Sequence, residues 1–382
     1  MKKLVAIIAI LFSASFLPGV AASQIQVGGK CLTVGDKTTV NGFQFICVKN
    51  GKNLIWKKNV LPSATPAPTQ ATITFENLFE NRAAISYTAW KKTSDLIASS
   101  TSKLGDLDIN TGPNTKPWFN QLSTALGFVS RAFPNEPEAK KVLIIRYNFQ
   151  DQDWATNLLK SKISQQEFDR LNRDEGGRLL SSNCEQSGTC RGSKEQTTQD
   201  GLAILLIGVP NSVSQDPIRY STGQLEAHEY FHSIQRVPFV NVNLQSKDWP
   251  TRWFLEGSAE WIQNAAVNSQ SFSKYQSFLK SDCDPSSSCS GLSESVISDY
   301  LSKSHLGNGM SDFDQRYAYS LGSKVCELLS AIAGPEALIQ IWNAQATGIG
   351  WDAAFQKVYG VDWNSVYPLI AKSLNSNIQN RV

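Results

Sequence analysis

Apolar and polar positions along the chain follow two different periods. Two short apolar runs rich in Ile, Val and Leu, KVLIIRY (141–147) and LAILLIGV (202–209), predict β-strands. In WFNQLSTALGFVSRAF (118–133) the apolar residues recur at spacings of three and four, which predicts a helix. FENLFENRAAISYTAWKKTSDLIAS (75–99) reads as one or two helices, and from Gln224 onward the pattern is mainly helical. DLDINTG (106–112) imitates a calcium loop, but glycine falls at its seventh position and Pro117 at its twelfth, so it reads as a polar turn. The expected fold class is α+β, a small sheet followed by a mostly helical half.

The N-terminal part has a different texture. Residues 1–22 combine a basic start (MKK), an apolar stretch (LVAIIAILF) and a small-residue site (VAA), the pattern of a removable signal peptide. No integral membrane span is expected once it is cleaved. Residues 23–60 read as a small β module broken by NG at 41–42 and NGKN at 50–53. LPSATPAPTQAT (61–72) reads as a Pro/Ala/Thr linker, which leaves 73–382 as the main domain.

Cysteine usage fits export. Six of the seven cysteines form local pairs: Cys31 with Cys47, Cys184 with Cys190, and Cys283 with Cys289. These are disulfide candidates in an oxidising compartment. A bridge in the small module would supply the staple that so short a unit needs. Cys326, inside an apolar helical pattern, reads as a buried free thiol. The module resembles small Cys-pair modules appended to exported bacterial proteins, which implies a cell-surface ligand as one reading of its role.

Charge narrows the function classes. A formal net charge of +3, spread over short Lys doublets, gives no basic face for nucleic acid. Neither a phosphate-binding GxxxxGK[ST] or GxGxxG loop nor a GxSxG nucleophile elbow is present.

The chemistry concentrates in LEAHEYFHSIQ (225–235), which holds two of the chain's three histidines. On a helix His228 and His232 lie one turn apart on one face and can share a zinc ion. Glu229, on the adjoining face, can act as general base on a metal-bound water. Such a site demands a third protein ligand. RWFLEGSAEWIQNAA (252–266) meets that demand, because Glu256 and Glu260 share one face of a helix otherwise rich in apolar residues. Glu256 is then the third ligand, and Glu260 accepts from an imidazole N–H. Gly257 would let this helix approach another closely.

HExxH followed by E-G-x-A-E resembles the gluzincin zinc metallopeptidases, with wording closest to their collagenase-like branch. The resemblance spans residues 200–345 and implies a zincin-like fold. It implies zinc, one ion per chain, on His228, His232 and Glu256, with Glu260 orienting a ligand histidine. YAYSLG (317–322) resembles the family's downstream Y-x-x-G helix, which implies that Tyr319 stabilises the oxyanion; Tyr317 is its neighbour and rival, and His305 could play the same part. No GxMEN exopeptidase motif is present. The segment 202–209 is expected to be the edge strand along which a peptide adds.

These readings converge on an exported or cell-surface zinc peptidase acting on peptide or protein substrates. Two alternatives stay open: a zincin-shaped surface binding protein with a non-catalytic metal site, and a zinc hydrolase of a non-peptide amide or ester.

Overall fold

The computed structural model describes residues 28–40, 43–58, 72–102, 104–184, 188–213, 217–242, 250–303 and 312–380. The expected signal peptide (1–22), the expected linker (61–72) apart from Thr72, and His305 lie outside the described residues. The chain divides between Thr69 and Gln70 into two units.

In the first unit, β1 (Lys37–Val40), β2 (Phe43–Asn50) and β3 (Asn53–Lys58) form an antiparallel meander. Asn50 and Asn53 face each other across the hairpin, and Gly51 in its tip takes a positive φ of 62°. A disulfide joins Cys31 to Cys47 on β2, and these two sulfurs with Phe45 are the buried apolar groups described there.

The second unit begins with α1 (Ile85–Ser99), β4 (Asp106–Thr111), α2 (Leu122–Ala132), β5 (Lys141–Tyr147), α3 (Gln152–Lys162), α4 (Gln165–Asp174), β6 (Ser193–Thr197) and β7 (Ala203–Gly208). Among the described residues nine helices follow: α5 (Pro217–Ser221), α6 (Gln224–Arg236), α7 (Arg252–Val267), α8 (Phe272–Asp282), α9 (Glu294–Lys303), α10 (Asp312–Ala333), α11 (Glu336–Ala346), α12 (Trp351–Tyr359) and α13 (Trp363–Asn380). The protein is thus α+β, with both small sheets preceding the long run of helices.

Strand order in the second sheet is β4-β5-β7-β6, parallel except for β6, which runs antiparallel to β7. Alternation along β5 and β7 splits the core. Val142, Ile144, Leu205 and Ile207 point into the large core shared with α2, α6 and α7, while Leu143, Ile145, Ile204 and Leu206 pack on α3 and α4.

Two expectations change here. The segment 202–209 is not an edge: β7 is apolar on both faces because it lies between β5 and β6, and the edge strand is the polar β6. Nor is 106–112 a turn, since Asp106–Thr111 pairs in parallel with Lys141–Arg146 as the opposite edge. Its polar side chains belong to a strand that is half in water.

The cysteine pairs close as their spacing predicts. Cys184 is bonded to Cys190 across a six-residue separation, just before β6, and Cys190 is fully buried in the smaller core. Cys283 is bonded to Cys289 over the same separation, where α8 ends, and both sulfurs join the large core. Each bridge therefore clips a short polar excursion and anchors it to apolar packing. Cys326 of α10 is a buried free thiol, as its apolar pattern predicts. Three disulfides in one chain accord with an oxidising environment.

Behind the sheet, α6, α7 and α10 build the wall that carries the site. Trp253 and Phe254 of α7 seat that helix in an aromatic cluster with Trp342, Trp351 and Trp363. Among the described residues no single helix is long and apolar enough to cross a membrane.

Candidate metal centre

Helix α6 starts abruptly at Gly223, whose positive φ of 84° no ordinary side chain adopts easily. A Cβ there would also meet the Phe119 ring at 2.4 Å, so the glycine lets the helix enter against its neighbours. Every residue of α6 from Gln224 to Gln235 is buried. Leu225, Ala227, Phe231 and Ile234 join the large core, and the two histidines are buried with them. Buried imidazoles need partners, and the neighbouring helix α7 supplies them.

The ligand-capable atoms form a nearly regular triangle. His228 Nε2 and His232 Nε2 are 3.1 Å apart, and Glu256 Oε2 lies 3.5 Å from each. Donor atoms held about 2.0–2.1 Å from a tetrahedral ion stand about 3.3–3.4 Å from one another. The triangle therefore has the dimensions that one small cation requires, and His228, His232 and Glu256 form a group that could hold a metal ion.

The outer nitrogens face polar groups of their own. His228 Nδ1 lies 3.4 Å from Glu260 Oε2, and His232 Nδ1 lies 2.6 Å from Gln235 Oε1. Gln235 in turn donates to Leu255 O at 3.1 Å and to Ser258 Oγ at 2.7 Å, which locks its amide and aims its oxygen at the ring. The acceptor on His232 Nδ1, and the Glu260 carboxylate facing His228 Nδ1, favour the tautomers that leave Nε2 free for an ion. Glu260 is itself fixed by Arg219 at 3.3 Å and by the Gln263 amide at 2.5 Å.

Electrostatics point the same way. Burial opposes a charge on His228, but the carboxylates of Glu256 and Glu260 outweigh it and raise its pKa to about 9. Burial likewise favours a neutral Glu256, yet its hydrogen bonds to His228 and His232 hold it well below the usual carboxylate range. The pocket between these carboxylates thus favours positive charge.

Glu229 stands outside the triangle, in the cleft above it. Its Oε1 accepts a 2.6 Å hydrogen bond from Ser193 Oγ, at the start of the edge strand. The cleft has a volume of ≈ 390 Å³ and is bounded by residues 192–196 on one side and by Leu255, Glu256 and Tyr319 on the other. Along its β6 wall, buried Glu195 pairs with Arg236 of α6 at 2.7 Å.

Tyr319 closes the opposite side. Its ring lies nearly parallel to that of His228 at 6.1 Å, and the Glu256 carboxylate is near enough for its charge to act on the phenol. Burial and the Glu256 charge push the phenol above its ordinary pKa, so it remains a proton donor. Tyr317 is directed elsewhere: its hydroxyl donates to Ser290 O at 2.9 Å.

The fold thus gathers His228, Glu229, His232, Glu256, Glu260 and Tyr319 from three helices. Sequence reasoning missed Ser193, Gln235 and Arg219. Gln235 was detectable as the residue one turn beyond His232, whereas Ser193 and Arg219 carry no local signal. No family model, curated protein or solved structure matches this chain.

Proposed function

We propose that this chain is an exported zinc peptidase with a gluzincin-type site and a zincin-like fold. The observation that carries the reading is the Nε2–Nε2–Oε2 triangle, open to a cleft in which Glu229 stands beside it. Two imidazoles and one carboxylate are the donor set of a hydrolytic zinc site. Bound there, zinc would supply a Lewis acid and a water of lowered pKa.

The protein's own groups then divide the work. Glu229 takes the water's proton as the carbonyl is attacked and returns it to the leaving amine. The hydrogen bond from Ser193 fixes the orientation of that carboxylate. Tyr319 turns its O–H toward the oxyanion that develops on the substrate. An extended peptide pairs with the outer edge of β6, where residues 193–196 line the cleft, and so passes over the triangle.

The test is zinc per chain, by elemental analysis after exhaustive dialysis, together with a peptide-library cleavage screen of wild type and Glu229→Gln. The expected result is one zinc in both proteins and cleavage by the wild type alone. No zinc bound or regained on titration would end the peptidase reading. Zinc without peptide cleavage would move the weight to a binding protein or to another amide or ester substrate.

A further inference from the structure

Neighbouring parallel strands β4 and β5 send the chain to opposite faces of the sheet. Helix α2, which follows β4, packs in the large core with Val142 and Ile144, whereas α3, which follows β5, packs with Leu143 and Ile145. Where adjacent strands diverge in this way, a crevice opens at their carboxyl ends, and open α/β sheets seat ligands there. This chain has a cleft of ≈ 580 Å³ at that place, lined by the segments that leave β4, β5 and β7. Among the described residues it shares no lining side chain with the cleft at the metal centre.

Its walls are held rigidly. Asp151, buried at 1% exposure, accepts from the backbone N–H and the side-chain amide of Asn114 at 3.0 and 2.9 Å and from Thr115 Oγ1 at 2.5 Å. Asn148 ties the two loops again by donating to Asn114 O at 2.8 Å. The loop after β4 passes so close that a Cβ on Gly112 would lie 2.2 Å from Asp151 Oδ2. The carboxylate of Asp151 is therefore spent inside the wall, and among the described residues no acidic side chain lines the cleft.

On this rigid frame two aromatic rings are left facing water. Trp118 donates its indole N–H to Pro210 O at 2.9 Å, which fixes the ring, yet 45% of the residue is exposed. Phe149 is 41% exposed. Exposed apolar surface gathered in a groove and rimmed by polar groups marks a ligand-binding surface. Around them stand the amides of Gln150 and Asn211 and the ammonium of Lys116.

We propose that this groove binds a saccharide, with a pyranose ring stacked on Trp118. The apolar C–H face of a sugar ring matches a flat indole, and amides, which both donate and accept, match its rim of hydroxyls. A single lysine without a glycine-rich phosphate cradle does not suit a nucleotide. The groove would hold the protein on a glycan-bearing surface, whatever reaction the metal centre performs.

The test uses the purified full chain with chitotetraose, cellotetraose and maltotetraose, by saturation-transfer-difference NMR and titration calorimetry. At least one tetrasaccharide is expected to bind, with saturation strongest on ring C–H protons. Trp118→Ala and Phe149→Ala should each weaken it at least tenfold, and Trp118→Phe should restore most of the affinity. The exposed Phe149 keeps the test decisive where loss of the Trp118–Pro210 bond unfolds the first variant. Failure of all three sugars to bind, or equal binding by both alanine variants, overturns the proposal. Binding of a proline-rich decapeptide on the same rings, with no sugar bound, overturns it as well and reassigns the groove to peptide.

Discussion

Gly257 of α7 and Gly322 of α10 face each other where the two helices cross, with no room for a methyl group on either. A Cβ on Gly257 would lie 2.2 Å from the carbonyl carbon of Gly322, and one on Gly322 would lie 2.4 Å from Trp253 O. The contact joins both halves of the site. Glu256 directly precedes Gly257 on α7, and Tyr319 lies one turn before Gly322 on α10. Backbone-to-backbone approach at the glycines therefore sets how near the Tyr319 turn of α10 stands to the Glu256 turn of α7.

Gly257→Ala should accordingly damage stability and the site together. Overpacking a closed contact costs about 1–3 kcal/mol, and backbone on the far side cannot move aside as a flexible side chain would. The expected outcome is a lower thermal midpoint and weaker zinc retention than wild type. An unchanged midpoint with full zinc content would refute the crossing as the spacer.

Ser193→Ala tests the grip on Glu229, the proposed general base. A hydrogen bond to a charged group contributes about 1.5–3 kcal/mol, so its loss should lower kcat roughly tenfold to a hundredfold. Zinc content and KM should stay near wild type, because Ser193 touches Glu229 and not the ligand triangle. Ser193→Thr, which keeps the hydroxyl, should recover part of the rate. A matching fall in zinc content would show a structural role instead.

The two helices of the candidate site were legible because their chemistry contradicts their setting. Two histidines and two glutamates repeat at helical spacing inside apolar stretches, and buried polar groups of that kind need a common partner. The short-range cysteine pairs were legible too, since Cys184 and Cys190, like Cys283 and Cys289, stand close enough in the chain to leave little choice of partner. The strands were harder to read. Edge strand β6, Ser193-Lys194-Glu195-Gln196-Thr197, has the polarity of a loop, and its position is set only by pairing with β7. The apolar run 203–208 looks prominent because both its faces are covered, and that makes it a central strand. Ser193 meets Glu229 across a separation of 36 residues, a contact no local pattern encodes.

Asp282, at the end of α8, gives the second unit a pH-dependent weakness. Burial, with the nearby Glu260 charge, raises its pKa to about 7 against the opposing pull of Lys324 and Arg219. The ordinary value, 3.8, governs the unfolded chain. Between those values the folded state holds a proton that the unfolded state has released, so stability falls as pH rises through the window. The contribution is full below pH 3.8 and lost above about 7, a difference on the order of 2–4 kcal/mol. Asp282→Asn stays neutral and lacks this slope. Its thermal midpoint relative to wild type should climb from pH 4 to pH 7 and then level off; a flat difference across that range would contradict the assignment.

Loss of the Cys31–Cys47 bridge should separate the two units in stability. In the first unit the described buried apolar groups are Cys31, Phe45 and Cys47, too few to offset the ordering of three strands. The Cys31–Cys47 bridge spans 16 residues, and a loop of that size contributes about 3 kcal/mol by limiting the unfolded chain. Replacing both cysteines by serine should therefore leave the amides of β2 and β3 exchanging at unfolded rates. The second unit, with its own large core around α6 and α7, should keep its protection and its capacity for the proposed zinc in the same sample. Retained protection in β2 and β3 would mean that backbone pairing alone holds the small sheet, and the disulfide would lose its place as the staple.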